Sequence, residues 1–85
     1  MKKICILGLG YVGLTLAVHA VRNGYEVHGV ETLEATLDTI NRGHAPFHEP
    51  GIDGLIQTHL NDKLFVYSTV PSDMKFDVVI ISVGT

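Results

Sequence analysis

The sequence has one cysteine, few basic residues and no long apolar run, and each shortage closes off a class of protein. A single cysteine, Cys5, cannot form an internal disulfide. Its neighbours Ile4, Ile6 and Leu7 predict a buried, inert thiol in a strand, because a reactive thiol needs an exposed electropositive setting. Six Lys and Arg stand against nine Asp and Glu, for a formal net charge of −3, and Lys2-Lys3 is the only basic pair. That is not the electrostatic footprint of a nucleic-acid binder. No stretch reaches the roughly 18 apolar residues that a membrane span requires. The short basic start leads into an apolar run that Gly8 and Gly10 break at once, with no small-residue cleavage site after it, so no signal peptide is read. The expectation is a soluble cytoplasmic protein that contacts neither nucleic acid nor membrane.

What is present points to an ordered core. The 85 residues suit one small domain, and 46% of them are hydrophobic, which favours folding over disorder. Lys3 to Leu7 is a short apolar run that stops at a glycine turn, the mark of a strand buried on both faces. From Tyr11 to Asn23 the pattern turns helical, with Thr15, His19, Arg22 and Asn23 forming one polar stripe. Gly24 stops it. Tyr25 to Val30 reads as a second strand ending at Glu31. Thr32 is placed to cap a second helix, with Glu34 near its positive end and Leu33, Leu37 and Ile40 as its apolar stripe. Asn41-Arg42-Gly43 closes it, and a loop from His44 to Glu49 carries Pro46 as a breaker. Pro50 is expected at the first position of a third helix, continued by Ile52, Leu55, Ile56 and Leu60. Leu64 to Tyr67 is a third strand, Val70 to Lys75 a connection with room for one helical turn, and Val78 to Ile81 a fourth strand.

Unbroken apolar strands alternating with helices imply parallel pairing through right-handed crossovers. The fold class is α/β, a Rossmann-type sheet of about four strands in the order 3-2-1-4 with helices on both faces, forming one domain over residues 1–85. This amounts to a little over half of a full dinucleotide fold. The open side of the fourth strand is then bare, and a bare edge is a template for self-association.

Gly8-Leu9-Gly10-Tyr11-Val12-Gly13 follows a strand, opens a helix, and is followed 18 residues after Gly13 by the acidic Glu31. Each part has a physical role in dinucleotide binding. Gly8 permits the tight turn, Gly10 lets a pyrophosphate approach the backbone, and Gly13 lets the helix pack on the strand. The free amides of the helix face the phosphates. Glu31 can accept hydrogen bonds from ribose hydroxyls and would repel a 2′-phosphate, so NAD is expected rather than NADP.

Together with Asn41-Arg42-Gly43, Pro46-Phe47-His48-Glu49-Pro50-Gly51 and Ser82-Val83-Gly84-Thr85, this turn resembles the N-terminal NAD-binding domain of the UDP-glucose/GDP-mannose dehydrogenase family, over the whole chain. Tyr11-Val12 inside the turn and Glu49-Pro50-Gly51 farther on make the likeness more specific than the glycines alone. The resemblance implies the NAD-binding portion of an enzyme that oxidises the C6 alcohol of a UDP- or GDP-sugar to a uronate for polysaccharide biosynthesis, through a covalent thiohemiacetal. It implies NAD contacts by Gly8, Gly10, Gly13, the backbone at Tyr11 and Val12, by Glu31, and by Thr85. The family's catalytic residues lie beyond this length and Cys5 matches none of them, so no catalytic residue is assigned and the chain is expected to be an N-terminal fragment that binds the cofactor without oxidising sugar. Two departures stand out. Glu31 replaces the usual Asp, and Thr36 replaces a usual Lys or Arg. A stand-alone nucleotide-sensing module and the start of a β-hydroxyacid-type dehydrogenase are the competing readings.

The five histidines do not suggest a metal site. His44 and His48 are spaced as helical ligands would be, but Pro46 lies between them, and His19, His28 and His59 fall on separate elements. Glu49 is read as fixing the loop or capping the helix after Pro50. The Tyr11 side chain is expected near the cofactor crevice. Ser68, Thr69 and Ser72 are loop polar residues with no nucleophile partner.

Overall fold

The computed structural model describes residues 2–83. The chain runs β1 (Lys3–Leu7), α1 (Tyr11–Arg22), β2 (Glu26–Val30), α2 (Glu34–Asn41), α3 (Ile52–His59), β3 (Leu64–Tyr67) and β4 (Val78–Ile81). The strands form one sheet in the order β3-β2-β1-β4, every pair parallel, as the apolar runs require. Ile4 lies beside Val27 and Val78, and Val27 beside Leu64.

Side chains alternate across a strand, so Ile4, Ile6, Val27 and Leu64 share one face. There they join Leu14, Ala17, Val18 and Val21 of α1, Ile40 of α2, and Ile52 and Ile56 of α3 in a single buried cluster. Complete burial of a Leu, Ile or Val contributes about 1.5–3 kcal/mol, and it is this cluster that fixes the start of α1 against the end of β1. Gly29 leaves room for the fully buried Leu9, whose side chain occupies the place a Cβ there would need.

Helices were expected on both faces, but all three bury their apolar residues on this one. The opposite face is served by the 68–77 connection, which has no apolar stripe at helical spacing and forms a turn at 72–73 rather than a helix. Its Phe76 lies against His28 of β2, with ring centroids 5.5 Å apart. His28 is only 2% exposed. It stacks on Phe65 at 5.0 Å, and its ring nitrogens reach the Tyr67 hydroxyl at 2.8 Å and Glu26 Oε2 at 2.6 Å. Cys5 is also buried on this face, and burial pushes its thiol above the ordinary value.

Candidate functional site

The strand ends nearest the glycine turn enclose a crevice of about 570 Å³, lined by Leu7, Gly8, Gly10, Val30, Glu31, Thr32, Leu33, Ser82 and Val83. It opens at the carboxyl ends of β1, β2 and β4. There the connection from β1 runs one way and β4 lies on the other side, which is where parallel α/β sheets bind ligands. The backbone closes its floor. Gly8 N–H donates to the Val30 carbonyl (2.8 Å) and Ser82 N–H to the Leu7 carbonyl (2.7 Å).

The three glycines of the turn differ in what surrounds them. Gly8 has φ +100°, a conformation costly for any other residue. At Gly13 a Cβ would sit 1.9 Å from the Gly8 carbonyl oxygen, so a side chain there is incompatible with α1 meeting β1. At Gly10 a Cβ would meet nothing within 4 Å. The absence of a side chain at Gly10 therefore serves no internal contact and leaves the crevice wall open. The first hydrogen bond of α1 is from Leu14 N–H to the Gly10 carbonyl (2.9 Å). The amides of Tyr11, Val12 and Gly13 have no acceptor among the described residues, and no acidic residue occupies the first turn of α1. Unpaired amides and the positive helix end make this a binding place for an anion.

Glu31 stands at the end of β2 and is 9% exposed. Its Oε1 accepts from Leu9 N–H (2.9 Å), inside the glycine turn, and its Oε2 accepts from Leu33 N–H (2.8 Å). One carboxylate thus ties the turn to the start of α2. Each oxygen still has a lone pair for a further donor, and Leu33 beside it is 65% exposed. The contact also corrects the expected cap. Leu33, not Thr32, is the N-cap of α2, with no side-chain cap bond, and its own amide donates to Glu31.

Tyr11 and Val12 open α1 with exposed side chains. The Tyr11 ring turns away from the crevice and meets Phe47 edge to face, centroids 5.0 Å apart at 63°. A hydrogen-bonding contact with the Glu49 carboxylate, and then its charge, push the Tyr11 hydroxyl above its ordinary value. The third helix starts later than expected. Pro50 and Gly51 form a turn, Gly51 at φ +88° is the N-cap, and α3 begins at Ile52. Glu49 contributes its backbone carbonyl, which accepts from Ile52 N–H at 3.3 Å. The carboxylate that does most to fix this loop is Asp53, which accepts from Ala45 N–H (2.8 Å) and contacts His44 Nδ1 (3.0 Å). Those contacts hold it below the ordinary carboxylate range, the Ala45 amide first. Thr85 lies outside the described residues. No group of three His, Cys, Asp or Glu is gathered for a metal among them.

The structure therefore brings Gly8, Gly10 and Glu31 to one crevice, and the unpaired amides of Tyr11 to Gly13 follow Gly10 directly in the chain. Leu7, Val30, Leu33, Ser82 and Val83 complete the crevice, and the motif alone did not name them. Their signal was the expected sheet order, which sets the ends of strands one, two and four side by side. The arrangement suits a dinucleotide: orphan amides and an open Gly10 for the pyrophosphate, a carboxylate with spare acceptor capacity for a ribose.

Comparison with known proteins agrees with this geometry. The family model of the UDP-glucose/GDP-mannose dehydrogenase family, NAD binding domain, matches residues 2–85. A UDP-N-acetyl-D-mannosamine dehydrogenase of Methanococcus maripaludis is 39% identical over 100% of this chain and 19% of its own length. A GDP-mannose dehydrogenase of Pseudomonas aeruginosa, solved as a ternary complex, superposes with a TM-score of 0.86 at 37% identity, over 100% of this chain and 20% of that one. For a UDP-D-ManNAc dehydrogenase of Pyrococcus horikoshii the TM-score is 0.88 at 36% identity, over 96% and 20%. The chain thus spans about one fifth of the length of these relatives.

Proposed function

The chain belongs to the UDP-glucose/GDP-mannose dehydrogenase family, whose NAD-binding domain it matches, and from that premise we propose that it is the cofactor-holding part of a nucleotide-sugar 6-dehydrogenase. The observation that carries the reading is an unobstructed Gly10 and Glu31 in one crevice, with the unpaired first-turn amides of α1 directly after Gly10. Gly8 and Gly13 set the turn. The amides of Tyr11, Val12 and Gly13 hold the pyrophosphate, and Glu31 receives ribose hydroxyls on its free lone pairs. Leu33 supplies apolar surface to the adenosine end. A 2′-phosphate would meet the Glu31 charge at close range, which selects NAD over NADP. In this reading Thr85 also contacts the cofactor.

NAD, when bound, accepts the hydride. This chain's residues orient it and fix its phosphates. The substrate is the C6 alcohol of a UDP- or GDP-sugar, the product is a uronate for polysaccharide biosynthesis, and the setting is cytoplasmic. The groups that attack and deprotonate the sugar belong, in this reading, to sequence beyond Thr85. Reading the codons downstream of Thr85 tests it. An in-frame continuation with a later cysteine supports the dehydrogenase, and a protein that forms NADH from a nucleotide sugar completes the case. A stop codon at that point, with NAD still bound, would replace it with a stand-alone binding module.

A further inference from the structure

Two separate features of the sequence meet in space. The glycine turn lies at residues 8–13 and the Pro46 to Gly51 loop more than thirty residues later, yet Tyr11 of the first packs on Phe47 of the second and lines one cavity with Glu49. Tyr11 is the first residue of α1, and its amide is among those left without an acceptor. Its ring is 57% exposed and contributes nothing to the crevice wall.

The turn is secured on one side by the strands. Gly8 N–H is bonded to Val30, Leu9 N–H to Glu31, and Gly13 rests on the Gly8 carbonyl. On the other side the contact is Tyr11. The loop it meets is itself stiff. Gly43 and His44 amides bond back to Ile40 and Thr39, Asp53 takes the Ala45 amide, and Gln57 donates to the Gly43 carbonyl. Phe47 is half-buried against the core cluster. A rigid loop anchored to the core thus props the first residue of the phosphate-facing helix.

We propose that Phe47 is a positioning residue for the cofactor, a strut that acts through the Tyr11 side chain to hold the Tyr11 and Val12 amides in register with a pyrophosphate. The inference rests on the NAD reading above and deepens it. Preset donors bind an anion more tightly than donors that must be ordered on binding. A shift well under an ångström at the turn misdirects N–H groups whose bonds depend on angle. The strut touches no ligand, so its effect falls on the phosphates and not on the adenosine.

The test compares three ligands, NAD, ADP and adenosine, by amide-shift titration of the whole chain, which reads millimolar affinities. The variants are Phe47→Leu, which keeps an apolar contact with the core, and Tyr11→Ala, which alters an exposed side chain. Thermal melts accompany both. The strut predicts that each variant weakens NAD and ADP by roughly three- to tenfold, the scale of one lost aromatic contact, and leaves adenosine within about twofold. The double variant Phe47→Leu/Tyr11→Ala binds no more weakly than Tyr11→Ala, because the two act in series. Equal weakening for all three ligands, additive losses in the double variant, or NAD and ADP affinities unchanged in Tyr11→Ala would each overturn the strut. An unmutated chain that binds no NAD overturns the NAD reading and the strut together. An unmutated chain that binds NAD beside an equally tight Tyr11→Ala overturns the strut alone.

Discussion

Replacing Glu31 separates what this carboxylate does for the fold from what it does for the cofactor. It accepts two backbone amides, from Leu9 at 2.9 Å and Leu33 at 2.8 Å. The two are not equal. Leu9 is fully buried, whereas Leu33 is 65% exposed, so after Glu31→Ala water can satisfy the second amide but not the first. An unsatisfied buried donor costs about 1–3 kcal/mol, and a bond to a charged acceptor contributes about 1.5–3. Relief from holding a largely buried charge offsets part of that. The expected net loss is about 2 kcal/mol, or roughly 8–16 °C of melting temperature in a chain of this size. Glu31→Gln keeps one carbonyl oxygen for Leu9 and is expected to lose about half as much. Both variants are expected to narrow the preference for NAD over NADP. The assay is a thermal melt without cofactor, followed by paired NAD and NADP titrations. If Glu31→Ala melts within about 2 °C of the unmutated chain, the carboxylate does not tie the turn to α2, and the account of the crevice wall is wrong.

Other substitutions follow from the same geometry. Gly10→Ala should leave the melting temperature within a few degrees, since its Cβ enters open space, while NAD affinity falls at least about tenfold. Gly13→Ala should do the reverse, destabilising the fold by about 3 kcal/mol or more, because its Cβ collides with the Gly8 carbonyl. The melts and titrations that check one check the other. Glu26 is held below its ordinary value of 4.5, first by its hydrogen bond from His28 and then by the charges of His28, Lys3 and Lys63, against the opposing effect of burial. Its contribution to stability is therefore present above about pH 4.5 and lost as the pH falls through the lowered folded value. Melting temperatures followed into acid should show that loss, and Glu26→Gln should flatten it. Thr36→Lys supplies the cation that the family resemblance implies at this position, and calorimetry should show NAD bound about two- to fivefold more tightly.

The parallel sheet and its order were legible because Ile4 to Leu7 and Val78 to Ile81 are continuous apolar runs, the pattern of parallel strands, although Val78, Val79 and Ile81 of the edge strand are exposed. The glycine turn was legible because spacing alone places its three glycines and Glu31. What escaped depends on contacts distant in sequence. Thr32 has the right chemistry for a cap, but α2 starts one residue later, with Leu33 at the N-cap. Pro50 suits a first helical position, but Gly51 in the left-handed conformation delays α3 to Ile52. The pairing of Glu26 with His28 had a signal that went unread, since the two stand two residues apart in a strand and so share a face. Tyr67 joins them only through the β2–β3 register. Nothing local announces that Tyr11 leans on Phe47, because loop and turn are neighbours only after folding.

Calorimetric titration of the unmutated chain shows whether the turn at residues 8–13 and Glu31 together hold NAD. Saturable NAD binding is expected, with NADP bound at least about tenfold more weakly at the same ionic strength. No response to millimolar NAD, or NADP bound as tightly, would contradict it.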